Sequence, residues 1–86
     1  MIRLWAKTIV NQKIEKSLIY ESIDNFSPEK FFLHMQQICQ RMDISTPVIL
    51  KTHIANLQNF NTTSFLPRDF VENVSFDKLV IENASL

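Results

Sequence analysis

The chain opens with Ile2-Arg3-Leu4-Trp5-Ala6-Lys7-Thr8-Ile9-Val10 and, after Asn11-Gln12-Lys13, continues Ile14-Glu15-Lys16-Ser17-Leu18-Ile19-Tyr20-Glu21. Both runs are rich in β-branched and aromatic residues, and a polar turn separates them, so they predict a β-hairpin. A loop with an odd number of residues, Asn11 to Lys13, puts Ile2, Leu4, Ala6, Ile14, Leu18 and Tyr20 on one face. The opposite face then holds Arg3, Lys7, Glu15, Ser17 and Glu21 together with Trp5, Ile9 and Ile19. A two-residue loop would mix charged and apolar groups on both faces, because a slip of one residue flips every side chain. The odd loop is the coherent reading.

Downstream, Ser27-Pro28-Glu29 predicts a helix start: a cap oxygen, a proline suited to the first helical position, and an acid where the macrodipole favours one. Phe31, Met35, Ile38 and Met42 then recur on one helix face, widened by Phe32 and Cys39. A second helix is expected from Thr46-Pro47, with Leu50, Ile54, Leu57 and Phe60 as its stripe, ending near Asn59 to Asn61. Residues 61–64 read as a loop, and Pro67 suits a short helical turn over 66–71. The last element is a strand from Phe76 to Glu82, with Leu79 and Ile81 on one face and Phe76 and Val80 on the other. Residues 83–86 read as a frayed tail.

The predicted fold is α+β, in the order β-β-α-α-β: a three-stranded antiparallel sheet with helices packed on one face, forming a single domain over residues 1–86. The first strand is the most apolar, so it belongs between its hairpin partner and the C-terminal strand. Leu4, Leu18, Phe31, Met35, Ile38, Ile54, Leu57 and Ile81 are the expected core.

Composition narrows the function. The 86 residues include nine basic and nine acidic ones, so no general attraction to nucleic acid or anionic lipid is expected. Neutrality also leaves little to hold copies of the chain apart. Seven Phe, one Trp and one Tyr can build a core without disulfides, and the single Cys39 permits no intrachain disulfide or multi-cysteine zinc site. No apolar run reaches transmembrane length and no signal-peptide pattern leads the chain, so a cytoplasmic protein is expected. The chain contains no glycine. That excludes the P-loop, the dinucleotide-binding fingerprint and the nucleophile elbow, whose backbones depend on it.

The remaining chemistry-bearing residues are sparse. His34 and His53 each precede a core residue on a helix and could flank a groove between the two helices. Neither belongs to an H-x-x-x-H or H-E-x-x-H pattern, so metal ligation is not expected. A deep polar pocket holding either histidine beside a carboxylate would point to an enzyme. Cys39 lies on the apolar stripe, where burial disfavours the thiolate that reactivity needs. Asp69 and Glu72, next to Arg68, are spaced to share one side of a short helix, but nothing convergent accompanies them. No catalytic residue, cofactor or metal is expected.

Residues 38–57 resemble a DNA-binding helix-turn-helix, with Ile38, Met42, Ile44 and Ile49 at the positions that motif keeps apolar. Asp43 stands where the motif prefers glycine and Thr52 where it wants an apolar residue. Only Lys51 and His53 could meet phosphates from the second helix. A nucleic-acid binder is therefore the alternative reading and not the first.

The sharper feature is apolar. Trp5, Ile9 and Ile19, joined by Phe76 and Val80, are expected on the sheet face turned away from the helices. Such a patch on a small protein marks an interface, with another protein or with a second copy, unless the 61–75 segment folds across it.

Over most of its length the chain resembles short, uncharacterised, mostly bacterial proteins that begin with a W-A-K-x-I strand-turn-strand and continue to K-x-H-I. Trp5-Ala6-Lys7, Lys51 with His53-Ile54, and Asp69-Phe70 carry the likeness. The resemblance implies a stand-alone cytoplasmic protein and brings no catalytic residues with it.

Overall fold

A computed structural model describes residues 1–85. It contains β1 (Ile2–Val10), β2 (Lys13–Ser22), α1 (Pro28–Met42), α2 (Lys51–Phe60), β3 (Thr62–Phe65), a 3₁₀ turn (Pro67–Asp69) and β4 (Lys78–Asn83). The sheet is antiparallel and four-stranded, in the order β2-β1-β4-β3. The fold is thus α+β, but the expected three strands become four.

The extra strand is β3, in the stretch read as a loop. Asn61 ends α2 in the left-handed region, donating its N–H to the Leu57 carbonyl, and so turns the chain straight into a strand. Along β3, Thr63 and Phe65 are buried while Thr62 and Ser64 are exposed, a period of two. Thr and Ser hide that period from a hydropathy reading.

Both helices cover the same face of the sheet, α1 against β2 and α2 against β3 and β4. Ile2, Leu4, Ala6, Leu79, Ile81 and Phe65 meet Phe31, Met35, Ile38, Cys39 and Leu57 there in one core. Of the expected core, Leu18 and Ile54 are only partly buried.

The hairpin corrects the expected odd loop. Val10 pairs with Lys13 across a two-residue turn, with Asn11 and Gln12 at φ 52 and 66. Positive φ at both positions is the type I′ geometry that matches strand twist. The odd parity enters elsewhere. Thr8 pairs with Lys16 and Ile9 with Ile14, so Glu15 is an extra residue in a β-bulge. Beyond the bulge Leu18 and Tyr20 face the helices as expected. Before it, Ile14 moves to the outer face and is 51% exposed. Glu15 reaches the helix side instead, where its carboxylate accepts a hydrogen bond from Thr8 Oγ1 at 3.2 Å.

Without glycine, other residues fill the left-handed positions: Asn11, Gln12, Asp43 and Asn61. Asn and Asp tolerate this region better than most residues. Asp43 closes α1 in a Schellman arrangement, its N–H donating to Gln40 O and the Ile44 N–H to Cys39 O at 3.0 Å. At the other end of α1 the expected Ser27 cap is not formed. The Ser27 hydroxyl instead donates to Glu29 at 2.6 Å, which holds the Glu29 carboxyl below its ordinary value.

Three further expectations change. The second helix begins at Lys51 rather than beside Pro47, because Val48 N–H donates to Asp69 O at 2.7 Å and holds the preceding stretch out of the helix. The last strand begins at Lys78. Phe76 precedes it, turns inward and packs edge-on against Phe70 at 5.4 Å, only 5% exposed. It therefore belongs to the core and not to the outer face. The segment read as a frayed tail is tied down as far as Ser85. Asn83 lies in β4, Ala84 N–H donates to Arg3 O, and Ser85 Oγ accepts from Arg3 N–H at 2.7 Å. Leu86, also in that expected tail, lies outside the described residues.

Candidate interaction surface

The outer face of the sheet carries no helix. Strand register lays it out in rows running from β2 through β1 to β4 and β3. Glu21 stands beside Arg3; Ile19 beside Trp5, Glu82 and Thr62; Ser17 beside Lys7, Val80 and Ser64; Ile14 beside Ile9 and Lys78. Of the expected interface residues, the structure brings together Trp5, Ile9, Ile19 and Val80 and withdraws Phe76. It adds Ile14, which the sequence reading missed. The only signal available was the weak one of a turn dipeptide suited to a two-residue loop.

The 61–75 segment does not cover this face. Its first part is the edge strand β3. The rest turns to the helix side, where Asp69 meets His53 and Phe70 joins the core.

Charge is distributed through the patch. Arg3 contacts Glu21 at 2.9 Å, with both side chains about half exposed. Exposed pairs of this kind contribute little. Lys7 is different: its side chain is only 13% exposed, 2.6 Å from Glu82 and 3.9 Å from the Trp5 ring centroid. Its stem and ammonium lie across the indole, a cation–π contact that covers part of the ring. The most exposed apolar groups are therefore Ile14 and Ile19, at 51% and 50%, both on the edge strand.

The candidate reactive residues have structural work. His53 is buried, and its Nδ1 accepts the Leu50 N–H at 2.9 Å, which ties down the start of α2. That assigns the proton to Nε2, which faces Asp69 Oδ2 at 3.5 Å. The same Asp69 oxygen accepts the Leu66 N–H at 2.8 Å. A histidine and a carboxylate are thus adjacent, yet each is bound to backbone and neither lines the four most pronounced clefts. Phe65 lies against the His53 ring at 4.3 Å between centroids. Glu72 stays exposed, beyond the 3₁₀ turn, and does not pair with Asp69.

His34 is also buried. Its Nδ1 shares a 2.7 Å hydrogen bond with the Tyr20 hydroxyl, and its Nε2 has no hydrogen-bond partner among the described residues. Burial pushes the Cys39 thiol up to about 11, with Thr46 pulling weakly the other way. At neutral pH that sulfur is a protonated core group. No group of three metal-ligating side chains occurs among the described residues. The apolar cleft beside the end of α2, about 260 Å³ and floored by Ile2, Leu4, Phe26 and Leu57, has amides at its rim and, among the described residues, no carboxylate side chain, histidine or thiol.

The stretch that resembles a helix-turn-helix does not have a tight turn, since residues 43–50 separate the two helices. With His53 buried, Lys51 is the cation left on that helix. Among the described residues no helix is long and apolar enough to cross a membrane. Neither a family model, a curated protein nor a solved structure matches the chain.

Proposed function

We propose that the protein is a small non-catalytic interaction module that self-associates through its sheet, with Ile19 at the contact and Trp5 beside it in the same row. One observation carries this reading: Trp5, Ile9, Ile14, Ile19 and Val80 share a sheet face that none of the other described residues covers. Uncovered apolar area on a small protein favours association, and large aromatics dominate such contacts. Zero net charge adds little repulsion between copies, and the face carries both signs, as a self-complementary surface requires. The alternative of catalysis is weakened by the state of its candidates: His53 and Asp69 are bound to backbone, and Cys39 is a buried thiol.

Sedimentation velocity on the wild type and on Trp5→Ala tests the proposal. The wild type is expected to approach a dimer with rising concentration, and Trp5→Ala to shift toward monomer with an unchanged circular dichroism spectrum. A wild type that stays monomeric at high micromolar concentration would overturn it.

A further inference from the structure

We propose that the copies pair through the free edge of β2, antiparallel about a two-fold axis at Ile19, so that two four-stranded sheets become one continuous sheet. This rests on the self-association reading above and names its geometry.

In an antiparallel sheet, successive residues of a strand direct their backbone groups to alternate sides. Arg3 O accepts from Ala84 N–H, so Arg3, and with it Trp5 and Lys7, points toward β4. Their partners on β2, namely Glu21, Ile19 and Ser17, then direct their N–H and C=O groups away from β1. β2 is an edge strand, and these groups face solvent. An edge of this kind is a template for another strand.

The bulge limits how much of the edge can be used. Glu15 breaks the register, and Lys13 and Lys16 crowd the hairpin end with charge. These are the devices by which edges resist pairing, but they stop short of Ser17. The stretch Ser17–Glu21 stays regular. The other edge, β3, offers only Thr62–Phe65.

Side-chain chemistry then selects the register. Pairing about Ile19 sets Ile19 against its own copy and Ser17 against Glu21 of the copy. The row Trp5–Ile19 then continues through the axis into Ile19–Trp5 of the second molecule. Pairing about Leu18 would set Glu15 opposite Glu21, a like-charge contact. Pairing about Ser17 would set Glu15 opposite Ile19 and bring the bulge into the interface. Opposed apolar residues stabilise a strand pair and opposed like charges do the reverse.

Stacking two outer faces is the rival geometry, and the charges oppose it. Lys7 with Glu82 and Arg3 with Glu21 stand within the face and would lose water on stacking. Edge pairing leaves them solvated. On the helix side, Gln37 accepts a hydrogen bond from the Tyr20 hydroxyl and Arg41 lies over the Tyr20 ring, which places their stripe of α1 along the β2 edge. Leu33, one turn before Gln37 and 55% exposed, belongs to the same stripe and would face its copy across the axis.

Ser17→Pro tests this, because it removes an N–H directed outward and leaves the bonds to β1 in place. Sedimentation of the variant at concentrations where the wild type is dimeric should give a monomer with native circular dichroism. A second measurement does not depend on that variant folding. Wild-type amide exchange followed by NMR should show Ser17, Ile19 and Glu21 slowing by roughly tenfold or more as concentration rises through the association. A dimer in which these three amides keep exchanging freely overturns the edge geometry and leaves self-association standing. A protein that remains monomeric overturns both.

Discussion

On β1, Ile2, Leu4, Ala6 and Thr8 are sealed from water, while Arg3, Trp5, Lys7 and Ile9, one residue out of step, are not. The two faces of one strand thus sit in different environments, and the difference lies in what covers them. The inner face is closed by two helices whose apolar stripes fit it. Among the described residues the outer face is finished only by its own side chains, with Lys7 laid across Trp5 and held by Glu82. A small domain has too few residues to cover both faces of a sheet, and the uncovered one becomes available for contact.

The two faces differ most under truncation, and the inner one suffers more. Ile38→Ala should cost on the order of 2–5 kcal/mol in urea denaturation, because Ile38 is fully buried in the single core. A loss within the noise of the curve would contradict the helix-face assignment.

Cys39 gives the next largest effect. Burial raises its native value to about 11, above the ordinary thiol value, so the unfolded chain loses its proton first as pH rises. Stability from this group is therefore constant at neutral pH and declines between about pH 9 and about pH 11, by up to about 3 kcal/mol. The sulfur should also alkylate on the order of 100-fold more slowly in the native protein than in the unfolded chain at pH 8. Iodoacetamide kinetics followed by mass spectrometry would show it, and equal rates would place Cys39 outside the core.

The hairpin turn offers a gain. Gln12 holds φ 66 with a side chain, where glycine is the favoured partner of Asn11 in a type I′ turn. Gln12→Gly should stabilise the protein by about 0.5–1 kcal/mol, read from the thermal midpoint. A destabilised variant would mean that the turn has a different geometry.

Ile14→Thr should have the smallest effect, within about 0.5 kcal/mol, because Ile14 faces outward. This substitution separates two routes to the same parity: a three-residue loop would bury Ile14, whereas a two-residue turn followed by a bulge exposes it. A cost above 1 kcal/mol, as expected for a buried side chain, would favour the loop.

These details mark where the sequence was legible. The helix stripe Phe31–Met35–Ile38–Met42 and the alternation of Ile2, Leu4 and Ala6 could be read because apolar spacing alone determines them. The face of Leu18 and Tyr20 could be read too, although by a loop of the wrong length. The bulge at Glu15 could not be read, since an extra residue leaves no compositional mark. β3 escaped because its inward Thr63 is polar and its neighbours are Thr and Ser. Phe76 was placed outward because nothing local shows that the strand begins only at Lys78. The late start of α2 follows from the long-range bond between Val48 and Asp69, and that was equally invisible. Of the proposed contact, Trp5, Ile9, Ile19 and Val80 follow from alternation, and Ile14 follows from the two-residue turn that pairs it with Ile9.

Small-angle X-ray scattering across a concentration series tests the self-association of this sheet most directly. One chain has a mass of 10.1 kDa and a radius of gyration of 11.9 Å over its Cα atoms. At high micromolar concentration the forward scattering should correspond to twice that mass. The radius of gyration should rise well above the single-chain value, since edge pairing lengthens the particle. Forward scattering that stays at one chain's mass, with an unchanged radius, at every concentration would contradict the account.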